Sequence, residues 1–427
     1  MPTTVEWARF KKYAGRMREL KLDLSRETIP LDVLSALRLR TLNEPLLPNL
    51  KTLELNEAHA DIIPFVPLFL SHRTIRIDIQ FAIRPPAVMV ASMVINLPTL
   101  CSHMQHISLH PLPHDATITN AISEMLLTCN RDTLRTFLVD SVLTEGASRV
   151  AYRLPNLRGL RSVFTEPTSL PAVSLPNLTK LDIEYHHDHY WLRAFKGATL
   201  SNLTEVNLHA ECDQIGDFLE AFENVALSTS ASATLSQFRF RTSCSWNPTY
   251  YSLLPFKQLK VLVIEFSCLD GCSSSVDDEI IITLAQAMPK LEVLQLGNTP
   301  CEAPSDVTVQ GLIALAHHCL GLSKLCIHFQ TSSLILELAD QVIPPLDGTP
   351  RPPWGDCALT SLEVGHIPMP TQYMLPVSLT LLRIFPHLLN IEFIDDGWRW
   401  VACTIGVSKQ IDSIVYRSGG PHLPYPC

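Results

Sequence analysis

Pro48-Asn49-Leu50-Lys51-Thr52-Leu53-Glu54-Leu55 decides how this chain is read, because the same phrase returns at Pro176 to Ile183, Pro289 to Leu296 and Pro386 to Phe393. With about a third of residues drawn from Leu, Ile, Val, Phe and Met, the bare pattern Leu-x-x-apolar-x-apolar arises by chance several times. A Pro two places ahead of the first Leu cuts that expectation to roughly one or fewer. The complete cases exceed it.

Looser forms fill the intervals: Met17/Leu20/Leu22, Met104/Ile107/Leu109, Leu134/Phe137/Val139, Leu203/Val206/Leu208, Leu235/Phe238/Phe240, Leu259/Leu262/Ile264, Leu322/Leu325/Ile327 and Leu359/Leu362/Val364. Neighbouring starts lie mostly about 20 to 40 residues apart, with a helical stretch between them, as in repeats that each give one short parallel strand. The spacing predicts an α/β fold, a leucine-rich repeat solenoid (horseshoe) with a parallel sheet on the concave face and helices outside. A β-sandwich would bring a strand every 8 to 12 residues or so.

Such an array escapes the usual size limit of a domain, because each repeat packs on its neighbours. Hydrophobic residues make up 46% of the 427 and charged ones 18%, enough for a continuous core. The predicted divisions are a capping helix over 1–16, a solenoid over 17–417 carrying a Pro-rich loop at 343–355, and a disordered tail at 418–427. Trp7, Phe10, Tyr13 or Ala14, and Met17 form the apolar stripe of the capping helix. Helices of the repeat type are read at Asp277 to Met288 and Ser305 to Cys319. Two places break the pattern: Leu157-x-x-Leu160 is followed by Ser162, and the region near His72 is irregular.

The net charge of −9 argues against nucleic acid as a partner, which calls for clustered Lys and Arg. The candidate considered for a membrane span, Ile62 to Leu70, is about half the length one requires and holds two prolines. Met1 to Phe10 has no signal-peptide core. The expected location is cytoplasmic or nuclear. Twelve cysteines are scattered without a disulfide framework, which suits a reducing compartment and buried thiols such as Cys326.

Phosphate-binding, zincin and serine-hydrolase motifs are missing from the sequence, and the chain is read as non-enzymatic, without cofactor or metal. The densest polar cluster, His186-His187-Asp188-His189, offers two histidines within reach of one ion, short of the three or four ligands that zinc takes. A solvated loop is the plainer reading, and Cys268-x-x-x-Cys272 lacks a second pair.

Strand alternation sends the Leu positions inward and their neighbours to the open face. That face is predicted to carry Glu54, Asp182, Glu184, Asn207, His209, Arg239, Arg241, Glu265, Gln295, His328 and Glu363. A broad polar sheet surface suits a protein partner.

The stretch Val307 to Leu325, with Gly311-Leu312-Ile313-Ala314-Leu315-Ala316 and Cys319 ahead of Leu322-Ser323-Lys324-Leu325, resembles the repeat of F-box leucine-rich repeat proteins. The Leu-Pro-Asn-Leu openings at Leu47, Leu154 and Leu175 and the Trp7-x-x-Phe10-x-x-Tyr13-Ala14 start are similar to the F-box-like families expanded in mushroom-forming fungi. That resemblance implies a substrate receptor that docks on a Skp-type adaptor and a cullin of a ubiquitin ligase. Residues 1–16 do not match the F-box pattern, so the F-box of such a receptor is expected to be cryptic or missing from this gene model, unless the resemblance is to the repeats alone.

Overall fold

The computed structural model describes residues 3–25, 30–41, 44–164, 175–185, 200–210, 233–242, 250–266, 276–297, 306–330, 356–364, 369–393 and 398–406. The predicted loop at 343–355, the tail at 418–427 and the cluster at 186–189 lie outside them. The chain divides into two compact units, one holding Met1–Leu208 with Ser228–Ala231 and the other His209–Leu227 with Ser232–Cys427.

Among the described residues most repeats begin with a tight turn. In Leu47-Pro48-Asn49-Leu50 the Leu50 amide donates to the Leu47 carbonyl at 3.0 Å, and the same closure recurs from Leu178 to Leu175 at 3.1 Å and from Leu203 to Leu200 at 3.3 Å. Pro presets the φ of the second turn position and Asn tolerates the third. The recurring phrase is therefore a turn followed by a strand. Both flanking leucines are buried: Leu47 is 4% exposed and Leu50 0%.

In the first unit the strands are β1 (Glu19–Asp23), β2 (Thr52–Ala58), β3 (Arg76–Phe81), β4 (His106–His110), β5 (Thr136–Val142), β6 (Gly159–Phe164), β7 (Lys180–Tyr185) and β8 (Glu205–Ala210), the last running into the boundary. They follow one another in chain order, and each pair from β1 to β7 is parallel. The ladder starts on the residues between turn and strand, with Lys51 N to Arg18 O at 2.7 Å, Gln105 N to Ile75 O at 2.8 Å and Thr204 N to Thr179 O at 2.8 Å. Leu53, Leu55, Ile77, Ile79, Ile107, Leu109, Phe137 and Val139 are fully buried on one face.

The helices of this unit are α1 (Thr4–Ala14), α2 (Leu31–Thr41), a single turn α3 (Val66–Phe69), α4 (Ala87–Leu100), α5 (Ala116–Thr128) and α6 (Glu145–Ala151). Side-chain caps start several of them. Thr3 and Glu6 form a reciprocal capping box on α1, and Asp115 accepts from the Thr117 amide at 2.7 Å on α5. On α1 Ala14 is buried and Trp7 and Phe10 are half-buried and stacked with centroids 5.2 Å apart, whereas Tyr13 and Met17 are exposed.

In the second unit the strands are β9 (Gln237–Thr242), β10 (Val261–Phe266), β11 (Val293–Leu296), β12 (Lys324–Ile327), β13 (Ser361–Val364) and β14 (Asn390–Phe393), again parallel and in chain order. Its helices α7 (Asp278–Ala287), α8 (Val309–His318) and α9 (Met374–Ile384) alternate with strands, and 398–406 is helical. Asp277 caps α7 through the Ile280 amide at 2.9 Å, and Thr308 caps α8 through Gln310 at 3.1 Å. The neighbouring Asp278 bridges the two repeats. Its carboxylate accepts from the Thr308 hydroxyl at 2.5 Å, the Thr308 amide at 2.8 Å and the Gly311 amide at 3.0 Å.

The fold is a leucine-rich repeat array with a parallel sheet and helices on its apolar side. Both irregular places become clear. Near His72, Thr74 stands where the turn-closing Leu belongs; it is 0% exposed, and its hydroxyl donates to the Leu50 carbonyl at 3.2 Å. In β6, Ser162 takes an apolar position, 1% exposed, with its hydroxyl reaching the Ser141 carbonyl at 3.4 Å. A buried hydroxyl is tolerated where a backbone acceptor lies in reach. The thiols behave likewise: Cys101, Cys319 and Cys326 are buried, and burial pushes each up to about 12, so they stay protonated.

Candidate functional site

The parallel register turns alternation into rows. On the sheet face away from the buried leucines, the first unit's middle row reads Lys21, Glu54, Asp78, Ser108, Leu138, Arg161, Asp182 from β1 to β7, each residue opposite the next. The row below reads Glu19, Thr52, Arg76, His106, Thr136, Gly159, Lys180. A one-residue slip in any strand would bury these charges.

Of the predicted residues, Glu54 and Asp182 share this middle row, and Asn207 stands on β8. The backbone of Glu184 pairs opposite Val163 in β7; its side chain lies outside the described part. Sequence reasoning missed Lys21, Asp78, Asp140 and Arg161, although the same alternation points to the first three and Arg161 follows Leu160 in the irregular repeat.

The charges are unevenly paired. Lys21 Nζ lies 3.2 Å from both Glu19 and Glu54. Arg161 Nε lies 2.6 Å from Asp140, whose side chain is only 9% exposed, and 3.8 Å from Asp182. Arg76 pairs with Asp78 at 3.2 Å, and Lys180 with Glu205 at 2.7 Å. Burial raises the pKa of Asp182 above the usual carboxylate value, and Glu205 adds to that, against the pull of Arg161, Lys180 and Asn207. His110 is pushed down by burial and then by Arg161, with Asp78 and Asp182 opposing. His106, which shares a hydrogen bond of 2.8 Å with the Thr136 hydroxyl, is also pushed down, first by burial and then by Arg76, Arg135 and Arg158.

In the second unit the corresponding row reads Arg239, Val263, Gln295, Cys326, Glu363, Glu392. Arg239, Gln295 and Glu363 thus share a row, as alternation predicts. Two of its members are apolar and covered, Val263 at 4% and Cys326 at 2% exposure. Arg241 and Glu265 face each other one row along at 2.5 Å, and the Gln295 amide donates to Glu265 at 3.2 Å. Lys324 pairs with Glu363 at 3.3 Å. His209 is half-buried near the end of β8, and His328 stands one residue past β12, also half-buried.

At α1 a cleft of about 210 Å³ is lined by Trp7, Phe10, Ala14, Pro45, Leu46 and Pro48, among others. Lys11 and Glu44 also line it and pair at 3.1 Å, and Arg40 stacks on Trp7 at 5.7 Å. Among the described residues no helix is long and apolar enough to cross a membrane, and no group of three or more His, Cys, Asp or Glu is placed to hold a metal ion.

Among solved structures the chain is similar to a leucine-rich repeat protein of Leptospira interrogans, at 13% identity and a TM-score of 0.39 over 91% of this chain and 87% of that one. No protein-family model and no curated protein matches the sequence. Register and burial within each unit carry the fold assignment.

Proposed function

We propose that the chain is a non-enzymatic protein-interaction module that holds a protein partner on the sheet face opposite its helices. The observation that supports this is the division of the strands: fully buried Leu, Ile and Phe on one side, and on the other rows of half-exposed charged and amide side chains held in register across many strands. A rigid, broad, polar surface with fixed side-chain spacing recognises a macromolecule better than a small ligand, which needs an enclosed pocket.

The test is a photo-reactive side chain placed singly at Asp78, at Glu363 and, on the helical side, at Glu124 in the full chain. Adducts to one partner at the two sheet positions and none at Glu124 are expected. Adducts at Glu124 alone would move the binding surface to the helices. The repeats' resemblance to F-box proteins extends the reading to a ubiquitin-ligase receptor. Recovery of a Skp-type adaptor and a cullin with the tagged chain is its measurement.

A further inference from the structure

We infer that the partner presents an acidic segment to the first unit, laid across the strands at the turn end of the sheet, with carboxylates against Arg135 and Arg158. This rests on the interaction reading above and adds the chemistry of the partner.

One register row carries the charge. Just ahead of each strand a backbone amide donates to the matching carbonyl of the repeat before it, which strings together Lys51, Ile75, Gln105, Arg135, Arg158 and Thr179 through bonds of 2.6 to 2.9 Å. That row holds three cations and no carboxylate. In the second unit the matching row sets Lys260 beside Glu292, paired at 2.6 Å, and neutralises itself. Over residues 1–208 Lys and Arg number 22 against 20 Asp and Glu, and the rest of the chain holds 11 against 22, so the net charge of −9 arises outside the first unit.

Arg135 and Arg158 are both exposed, and they stand on neighbouring strands, about 4.8 Å apart along the sheet. Among the described residues neither forms an ion pair, whereas the carboxylates described on β3 to β8 all have cations: Asp78 has Arg76, Asp140 and Asp182 share Arg161, and Glu205 has Lys180. Asp132, exposed in the turn ahead of β5, pairs with neither arginine, and the exposed Arg131 and Arg153 stand in the same turns. Like charges side by side on adjacent strands repel. A carboxylate set between them replaces that repulsion with charge-assisted hydrogen bonds.

The two histidines of β4 show where the positive field ends. At His106 the groups acting after burial are Arg76, Arg135 and Arg158, with no acid opposing them, whereas at His110, four residues along, Asp78 and Asp182 oppose Arg161. The turn end is basic and the rest of the face is balanced. Gly159, opposite Thr136 in the register, also puts no side chain beside the two arginines; a Cβ there would stand 3.1 Å from Thr136 Cγ2.

The geometry sets a length. Lys51 stands ahead of β2 and Arg158 ahead of β6, four strands or about 19 Å apart, which an extended segment of about six residues spans. A few carboxylates match so short a run. A nucleic-acid backbone, charged at every step, would meet Asp78, Asp132 and Asp182 beyond it.

The probes are fluorescent decapeptides alternating glutamate, lysine or leucine with serine, and a ten-residue oligothymidylate, each titrated into the full chain. The glutamate peptide is expected to bind saturably, with affinity falling as salt rises. Arg135→Gln with Arg158→Gln should weaken it at least fivefold, while Arg149→Gln on the helical side leaves it unchanged. Arg135→Glu with Arg158→Glu should turn the preference over to the lysine peptide, which a merely structural role would not do. Thermal melts of each variant separate lost binding from lost folding, and the glutamine pair is expected to melt no lower than the parent.

Glutamate-peptide binding that both pairs leave intact overturns the inference, and so does tighter binding of the lysine or leucine peptide by the parent chain. Tighter binding of the oligonucleotide, weakened by the same pairs, gives the row to nucleic acid and overturns the protein segment. Failure of every probe overturns the inference as well. In each case the photo-adducts at Asp78 and Glu363 decide separately whether the sheet face holds a protein.

Discussion

The two units solve one packing problem with different polar chemistry. In the first, asparagine amides lock four of the turns to the repeat before them: Asn49 donates to Gly15 O at 2.7 Å, Asn156 to Asp132 O at 2.8 Å, Asn177 to Pro155 O at 2.8 Å and Asn202 to Pro176 O at 2.6 Å. Even Arg73, at the Asn position of its own turn, donates to Asn49 Oδ1 at 2.7 Å. In the second unit the same turns carry Lys290 and Gly321, and the rungs are thiols, such as Cys319 to Met288 O at 3.6 Å, and hydroxyls, Ser323 to Glu292 O at 2.9 Å and Thr360 to Ser323 O at 3.2 Å, which the first unit also has in Thr179 to Arg158 O and Thr204 to Thr179 O, both at 3.0 Å. The apolar half of the phrase makes the fold, and the polar half is interchangeable wherever a donor reaches the carbonyl behind it.

If that is right, truncating the apolar half should hurt both units alike. Leu53→Ala in β2 and Leu294→Ala in β11, both fully buried, are each expected to cost about 2–5 kcal/mol in denaturant unfolding. A cost confined to one unit would show that the second array is held by something other than its leucines.

A smaller effect separates the units at their glycines. A Cβ on Gly311 in α8 would stand 2.7 Å from Asp278 Oδ1 and 3.0 Å from Val307 Cγ1, in the middle of the carboxylate bridge between repeats. Gly311→Ala should cost about 1–3 kcal/mol by thermal melt. Gly146→Ala in α6, where nothing lies within 4 Å, should instead be neutral or stabilise by up to about 1 kcal/mol. Equal outcomes would mean that the Asp278 bridge contributes little.

Asparagine rungs come next. Asn177→Ala removes an amide bond to Pro155 O and should cost about 1 kcal/mol, whereas Lys290→Ala at the matching turn position should stay within about 0.5 kcal/mol. A large loss at Lys290 would make its 2.5 Å contact to Gln258 a rung in its own right.

How much of this was legible depended on the kind of interaction. The strands were, because Leu at fixed spacing marks a buried row whatever its surroundings. The face residues Glu54, Asp182, Arg239, Gln295 and Glu363 were, because alternation needs nothing but register. Thr74 and Ser162 hid their repeats, since a buried hydroxyl looks like a surface residue until the carbonyl beside it is known. The Asp140–Arg161–Asp182 arrangement was invisible for a related reason: it joins three repeats. No local spacing links residues that meet through the register shift in β5 and β6.

The smallest effect tests whether the first unit's face is arranged for stability. Asp182 has a raised folded pKa, so between its ordinary value and that raised one the folded state holds the extra proton, and stability falls as pH rises through the window. The ionised carboxylate thus costs stability at neutral pH despite Arg161. Asp182→Asn should raise the melting midpoint slightly at pH 7 and flatten the acid side of the profile. His106 and His110 act with the opposite sign. Their folded pKa values are depressed, so the unfolded chain takes up protons first, and the stability present above the ordinary histidine value near 6.5 is lost as pH falls below it. Replacing both by Gln should remove a drop in midpoint between about pH 7 and pH 5. An Asp182→Asn chain less stable at pH 7 would show that the carboxylate serves the fold through Arg161. A more stable one leaves a charge whose benefit lies in what it meets on the open face, as expected where binding and stability pull apart.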